Sequence, residues 1–195
     1  VGGHMTDSVS LCNLALAALG AKSITALTED SVAARECSRV YAHARDSETR
    51  AHSWGFARTQ VQVAADSTNP IFGAARRYLK PSDCLRILPT EGQGASDTQD
   101  DFATYGRYIH TDHSSPINLI YLKRVTDENE FDQLFADLLV KRIAKDIAEK
   151  VTQSNTKKKK ATEDYDAAKK EARRINSFEK PPEKPPEDKW ITARL

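Results

Sequence analysis

The sequence predicts an α+β fold that is mainly α: an antiparallel bundle of about four helices, a small antiparallel β insertion and an extended C-terminal arm. Three observations point there. Phe131, Leu134, Phe135, Leu138, Leu139, Ile143, Ile147 and Val151 recur at helical spacing, which puts one apolar stripe on a long helix. Between Tyr78 and Leu122 the chain breaks into short segments rich in aromatic and β-branched residues, bounded by Gly, Pro, Asp and Ser. The segment Pro181-Pro182-Glu183-Lys184-Pro185-Pro186 has φ fixed by its rings and lacks backbone donors, so it joins neither a helix nor an inner strand.

Taken in order, Val1-Gly-Gly-His-Met5 reads as a remnant of an expression tag, and residues 1–5 are set aside with His4. The first helix is expected over Thr6–Leu19, capped by Asp7 or Ser8 and stopped by Gly20. It is apolar nearly all round, which predicts burial among other helices. The second is expected over Ser31–Arg50 with Asp30 as its cap. Ala33, Cys37, Val40, Tyr41 and Ala44 form its inner stripe, and Arg35, Glu36, Arg39, Arg45, Asp46, Glu48 and Arg50 its polar face. His52-Ser53-Trp54-Gly55-Phe56-Ala57 then brings two large aromatics to the helix end as core plugs.

Strands are expected over Tyr78–Pro81, Cys84–Leu88, Phe102–Tyr105, Arg107–His110 and Ile117–Leu122, with Gly106 at a tight turn or bulge. Thr90–Asp101 is polar, holds two glycines and reads as a loop. The third helix is expected over Asp132–Gln153. The fourth is expected over Asn155–Asn176, where Tyr165, Ala168, Ala172 and Ile175 mark the inner face. The domain plan is therefore a bundle built from 6–75 and 125–177, a β insertion over 76–124, and an arm over 178–195.

Composition narrows the function classes. The 195 residues are 39% hydrophobic and 29% charged, with a mean hydropathy of −0.60. No run approaches the ~20 apolar residues of a membrane span. Residues 1–155 carry 17 Lys and Arg against 20 Asp and Glu, and residues 156–195 carry 12 against 8. A mildly acidic body with a mildly basic tail does not supply the run of phosphate contacts that tight duplex binding needs. Cys12, Cys37 and Cys84 are an odd, sparse set without a secretory segment, and they read as reduced thiols of a cytosolic setting.

Each constellation that could carry chemistry has a plainer reading. Cys84 with His52, His110 or His113 would make a nucleophile and base only if the fold brought them together. His110-Thr111-Asp112-His113 is half of a metal site, or loop polarity following a strand; no metal ligand, catalytic residue or cofactor is assigned. Asp97, Asp100, Asp101 and Asp112 could serve a glycan hydrolase if held a few Å apart across a cleft, the alternative being solvated loop acids. Lys157-Lys158-Lys159-Lys160 could touch phosphate as part of a DNA-binding module. Four consecutive helical residues spray around the axis, however, which favours a solvated run. There is no P-loop and no dinucleotide fingerprint. The arm is either a free terminus or an element that orders on another chain, with Trp190 as its anchor.

These residues resemble the tail tubular protein A family, the head-to-tail adaptor (connector) proteins of short-tailed bacteriophages and prophages. The resemblance runs from Cys12-Asn13-Leu14-Ala15-Leu16-Ala17-Ala18-Leu19-Gly20-Ala21 through Asp30, Cys37, Tyr41 and Arg45-Asp46. It continues with His52-Ser53-Trp54-Gly55-Phe56-Ala57 and Tyr78-Leu79-Lys80-Pro81-Ser82-Asp83-Cys84-Leu85-Arg86. Thr111-Asp112, Pro116, Tyr121, Phe135 and Thr152-Gln153-Ser154 follow, and Trp190-Ile191-Thr192-Ala193-Arg194 closes the chain. Gly55 stands where the family more often has Asn.

The resemblance implies a non-enzymatic virion protein, assembled in the bacterial host cytoplasm. It would form a ring, typically dodecameric, between the portal protein and the tail nozzle protein. The ring continues the channel through which double-stranded DNA passes without sequence-specific binding, and an acidic body would discourage the duplex from sticking. No membrane partner is implied. The arm would grip the portal through Pro181, Pro182, Pro185, Pro186, Trp190, Ile191, Arg194 and Leu195. Arg35, Arg39, Arg45, Asp46, Lys169 and Glu171 are the expected ring contacts between copies.

Overall fold

A computed structural model describes residues 7–88 and 102–178. Four helices, α1 (Ser8–Ala18), α2 (Val32–Ala51), α3 (Gln133–Thr152) and α4 (Asn155–Phe178), dominate an α+β fold. Among the described residues six strands form two small antiparallel sheets: β1 (Arg58–Val63), β2 (Arg76–Leu79), β3 (Cys84–Leu88), β4 (Phe102–Tyr105), β5 (Tyr108–Thr111) and β6 (Ile117–Lys123).

Local chemistry sets the helix ends. The Asp7 carboxylate accepts from Ser10 N at 2.7 Å and caps α1. Ser31, not Asp30, caps α2, because its hydroxyl accepts from Ala34 N while Asp30 turns to Arg35. Asp132 caps α3 by accepting from Leu134 N and Phe135 N. Gly20 ends α1 with φ +65, and Gln153 ends α3 with φ 50, both in the left-handed region that closes helices. Only Gln153 and Ser154 separate α3 from α4, so the two run antiparallel. Phe178 lies within α4, so the helix takes in the first residue assigned to the arm.

The central helix is α3, whose Phe135, Leu138, Leu139, Ile143 and Ile147 are all buried. Leu11, Cys12, Ala15 and Leu16 of α1, Cys37, Tyr41 and Ala44 of α2, and Ala161, Tyr165 and Ala172 of α4 pack around it. Only one side of α1 is covered, contrary to its all-round apolar pattern: Leu14 is 57% exposed. α1 meets the bundle along the face bearing Leu11, Cys12, Ala15 and Leu16, and its opposite face is left to solvent.

One sheet has the order β1-β6-β3 and the other β2-β5-β4. In the first, Val61 faces Leu119 and Val63 faces Ile117 across β1 and β6. In the second, Tyr78 faces Ile109 across β2 and β5, and a two-residue turn at Gly106-Arg107 (Gly106 φ +56) pairs Tyr105 with Tyr108. The β region begins ahead of the expected 76–124 insertion. β1 lies in the segment assigned to the bundle, and its alternation Thr59, Val61, Val63 is diluted by Gln60 and Gln62. The sheets share a second apolar core of Tyr78, Ile109 and Leu119. Leu88 and Leu122 belong instead to the bundle core, so β3 and β6 touch both.

Candidate functional site

Some of the residues that carry the family resemblance, Trp54, Phe56, Asp83, Tyr121, Phe135 and the Arg45-Asp46 pair, meet where the sheets join the bundle. At the end of α2, Trp54 is 2% exposed, and its indole Nε1 donates to Glu48 O at 3.0 Å. Its ring meets Phe135 edge-on with centroids 5.2 Å apart; Phe56 lies 4.9 Å from Phe135 and 5.7 Å from Phe131. These rings bury the turn between helix and β1 in apolar contact, the large burden that Trp and Phe carry in cores. Gly55 begins a short 3-10 turn there, and a Cβ at that position would meet open space.

Polar bonds hold the other side of the joint. Arg124 N donates to Asp83 O at 2.7 Å, and Tyr121 Oη donates to the Asp83 carboxylate at 3.1 Å. Burial, then that carboxylate, pushes the Tyr121 phenol up to about 12. Arg50 of α2 donates to Leu85 O in β3. The Asp46 carboxylate accepts from Arg45 Nε at 2.9 Å on one oxygen and from Arg124 Nε at 2.7 Å on the other. Tyr41 Oη donates to Glu128 at 2.8 Å, and burial followed by that bond raises its pKa. Asn13 closes the loop between α1 and α2, its amide donating to Ile24 O at 2.9 Å and accepting from Ile24 N at 2.8 Å.

A buried polar knot ties three helices together. The Glu48 carboxylate, 4% exposed, accepts from Arg142 Nη1 at 2.8 Å and from Tyr165 Oη at 2.7 Å. Arg142 Nε donates to Asp146 at 2.8 Å. Burial pulls the guanidinium's pKa down, but the bonds to Asp146 and Tyr165 outweigh it and leave it raised. Lys145 Nζ lies 4.5 Å above the Tyr165 ring. Sequence reasoning put Glu48 on the exposed face. The missed signal was its position four residues past Ala44 and seven past Tyr41, in line with the apolar stripe.

The expected ring contacts divide. Arg35 with Asp30, and Arg39 with Glu36, lie on the outer surface of α2 as exposed ion pairs. Glu171 is exposed on α4. Arg45 is buried against Asp46, and Asp46 is shared with Arg124, so this pair is withdrawn from the outer face. Lys169 is half-buried and reaches Tyr165 Oη at 3.1 Å. The expected portal contacts, Pro181, Pro182, Pro185, Pro186, Trp190, Ile191, Arg194 and Leu195, lie outside the described residues.

Two of the four lysines in the run make contacts within the fold. Lys157 Nζ donates to Leu19 O at 2.7 Å, matching a cation to the negative end of α1, and Lys158 pairs with Glu149 at 2.6 Å. The alternative chemistry is scattered. Cys84 opens β3, His52 stacks edge-on against Trp54, and His110 lies in the other sheet 4.8 Å from Tyr105. The Asp112 carboxylate accepts from Ala75 N at 2.7 Å. Asp97, Asp100 and Asp101 lie outside the described residues. Among the described residues no group of three or more His, Cys, Asp and Glu could hold a metal ion, and no helix is long and apolar enough to cross a membrane.

No protein-family model matches the chain, and no curated protein matches it.

Sequence reasoning also passed over Ile71 and Phe72. They sit at the tip of the loop between β1 and β2, 98% and 86% exposed. The local signal was Pro70 before them and Gly73 after, which marks a turn carrying apolar residues.

Proposed function

We propose that this chain is a virion structural subunit of the tail tubular protein A type, an adaptor that joins a portal to a tail nozzle as a ring and continues the DNA channel. One observation carries the reading. The family-like residues Trp54, Phe56, Asp83, Tyr121, Phe135 and the Arg45-Asp46 pair converge on the joint that fixes the sheets to the bundle. An adaptor subunit transmits a set angle between two larger assemblies, so a stiff joint is the part such a protein most needs. The role is assembly rather than turnover. The arm that follows α4, residues 179–195, supplies the portal contact, and many equivalent arms around a ring raise one another's effective concentration.

Deletion of residues 179–195, which spares α4, tests this. The truncated chain is expected to unfold at the same temperature as the full chain and to lose binding to its portal. Equal portal binding with and without the arm overturns the reading.

A further inference from the structure

Two features of the β region are complementary to each other, and among the described residues neither is used by its own copy. One is the loop between β1 and β2. Its stem is held on several sides: Asp66 N donates to Arg77 O at 2.8 Å, Arg77 Nη2 donates to the Asp66 carboxylate at 2.9 Å, Ala65 N donates to Ser115 Oγ at 3.0 Å, and Ala75 N donates to Asp112 at 2.7 Å. This fixed stem presents Ile71 and Phe72, side by side, almost wholly to solvent. Single exposed apolar residues are ordinary. Two adjacent large ones on a pinned stem are a built protrusion.

The other feature is a cleft of about 650 Å³ lined by residues of both sheets. Ile87, Phe102, Ile109 and Leu119 make its walls apolar, and Thr111 and His113 bring polar atoms. His113 Nε2 is buried there with no hydrogen-bond partner among the described residues. A cavity of about 150 Å³ suffices for one aromatic ring, so the cleft has room for both tip side chains. An incoming loop also carries backbone N–H and C=O groups, which the unpartnered imidazole nitrogen can meet.

We propose that the Ile71–Phe72 tip of one copy seats in the cleft between the two sheets of a second copy. The tip does not fill its own cleft, since both side chains are exposed. Every copy carries one protrusion and one cleft, so the contact uses unlike surfaces. Such contacts form a ring when the rotation closes and a filament when it does not. The proposal deepens the ring reading and rests on that reading for closure alone.

The test places a photoreactive benzophenone at the tip, Phe72→p-benzoylphenylalanine, in the full chain. Equal amounts of ¹⁴N- and ¹⁵N-labelled protein are mixed at millimolar concentration, irradiated and mapped by mass spectrometry. Mixed-isotope adducts on Phe102, Ile109, Ile117 or Leu119 are expected. Adducts within one copy (residues 89–101 included), adducts elsewhere on a second copy, or no adduct overturn the contact. As a second arm, Ile71→Ser with Phe72→Ser is expected to weaken self-association by about tenfold or more and to leave the unfolding temperature unchanged; unaltered association overturns it. Stoichiometry separates this proposal from the reading beneath it. A closed pair with the tip in the cleft supports the contact and sinks the ring. A ring whose adducts avoid the cleft sinks the contact and leaves the ring.

Discussion

Replacing Glu48 with Ala distinguishes the surface role its charge suggests from the core role its geometry gives it. The carboxylate is 4% exposed and bonded to Arg142 and Tyr165. Removing one partner of a buried ion pair costs about 3–5 kcal/mol, because the other charge stays buried. Here Arg142 is 23% exposed and keeps Asp146, which puts the cost at the low end, about 3 kcal/mol. The Trp54 bond survives, since it ends on the Glu48 backbone carbonyl. For a chain of this size about 1 kcal/mol moves the midpoint by roughly 2–4 °C, so Tm is expected to fall by about 6–12 °C. Circular dichroism during heating and in urea measures it. Glu48→Gln keeps an acceptor for Tyr165 and is expected to lose about half as much. Combining Glu48→Ala with Arg142→Met is expected to cost less than the two changes added, because each removes the same interaction. A loss within ~0.5 kcal/mol, as for an ordinary surface residue, or strict additivity refutes the knot.

Three further outcomes follow from the same geometry. Trp54→Ala removes a ring that is 2% exposed and is expected to cost about 4 kcal/mol in urea unfolding. Gly20→Ala forces a Cβ into φ +65 and is expected to cost about 1 kcal/mol by the same measurement. Alkali acts through Tyr121: its folded pKa stands above the ordinary 10, so its contribution is complete below pH 10 and is lost as pH rises through about 12. The urea midpoint is expected to fall across that window, and Tyr121→Phe to flatten the fall.

Legibility tracked how far each residue's partner lay in sequence and whether its type matched its burial. The stripe on α3 was plain because Phe135, Leu139, Ile143 and Ile147 are apolar, buried and spaced by one turn. Glu48 and Arg142 were opaque, since a charged residue reads as surface unless its partner is known, and the two lie 94 residues apart. Arg45 was hidden by type alone: its partner Asp46 is the next residue, but an arginine in a charged stretch does not announce its burial. The first strand was hidden by composition, because Gln60 and Gln62 flank Val61 in a six-residue segment that holds no aromatic. At the candidate site, Trp54 and Phe56 were readable as plugs by size alone. The exposure of Ile71 and Phe72 was not: nothing local tells an apolar residue that turns inward from one that the turn carries outward.

One strand explains how the joint, the cleft and the protruding loop act as a unit. Successive residues of β6 point to opposite faces. Leu122 enters the bundle core, while Leu119 enters the core between the sheets. The strand cannot shift by one residue without sending each side chain to the wrong core, so its register is doubly specified. That register carries on to β1, where Val63 faces Ile117, and the next residues form the stem that Asp66 and Arg77 lock. The Ile71–Phe72 tip is therefore oriented with respect to the helices through continuous packed or hydrogen-bonded contacts. A ring built through that tip would inherit its angle between copies from β6, and softening the strand, as Leu122→Ala would, is expected to broaden the distribution of ring sizes in electron micrographs before it abolishes assembly.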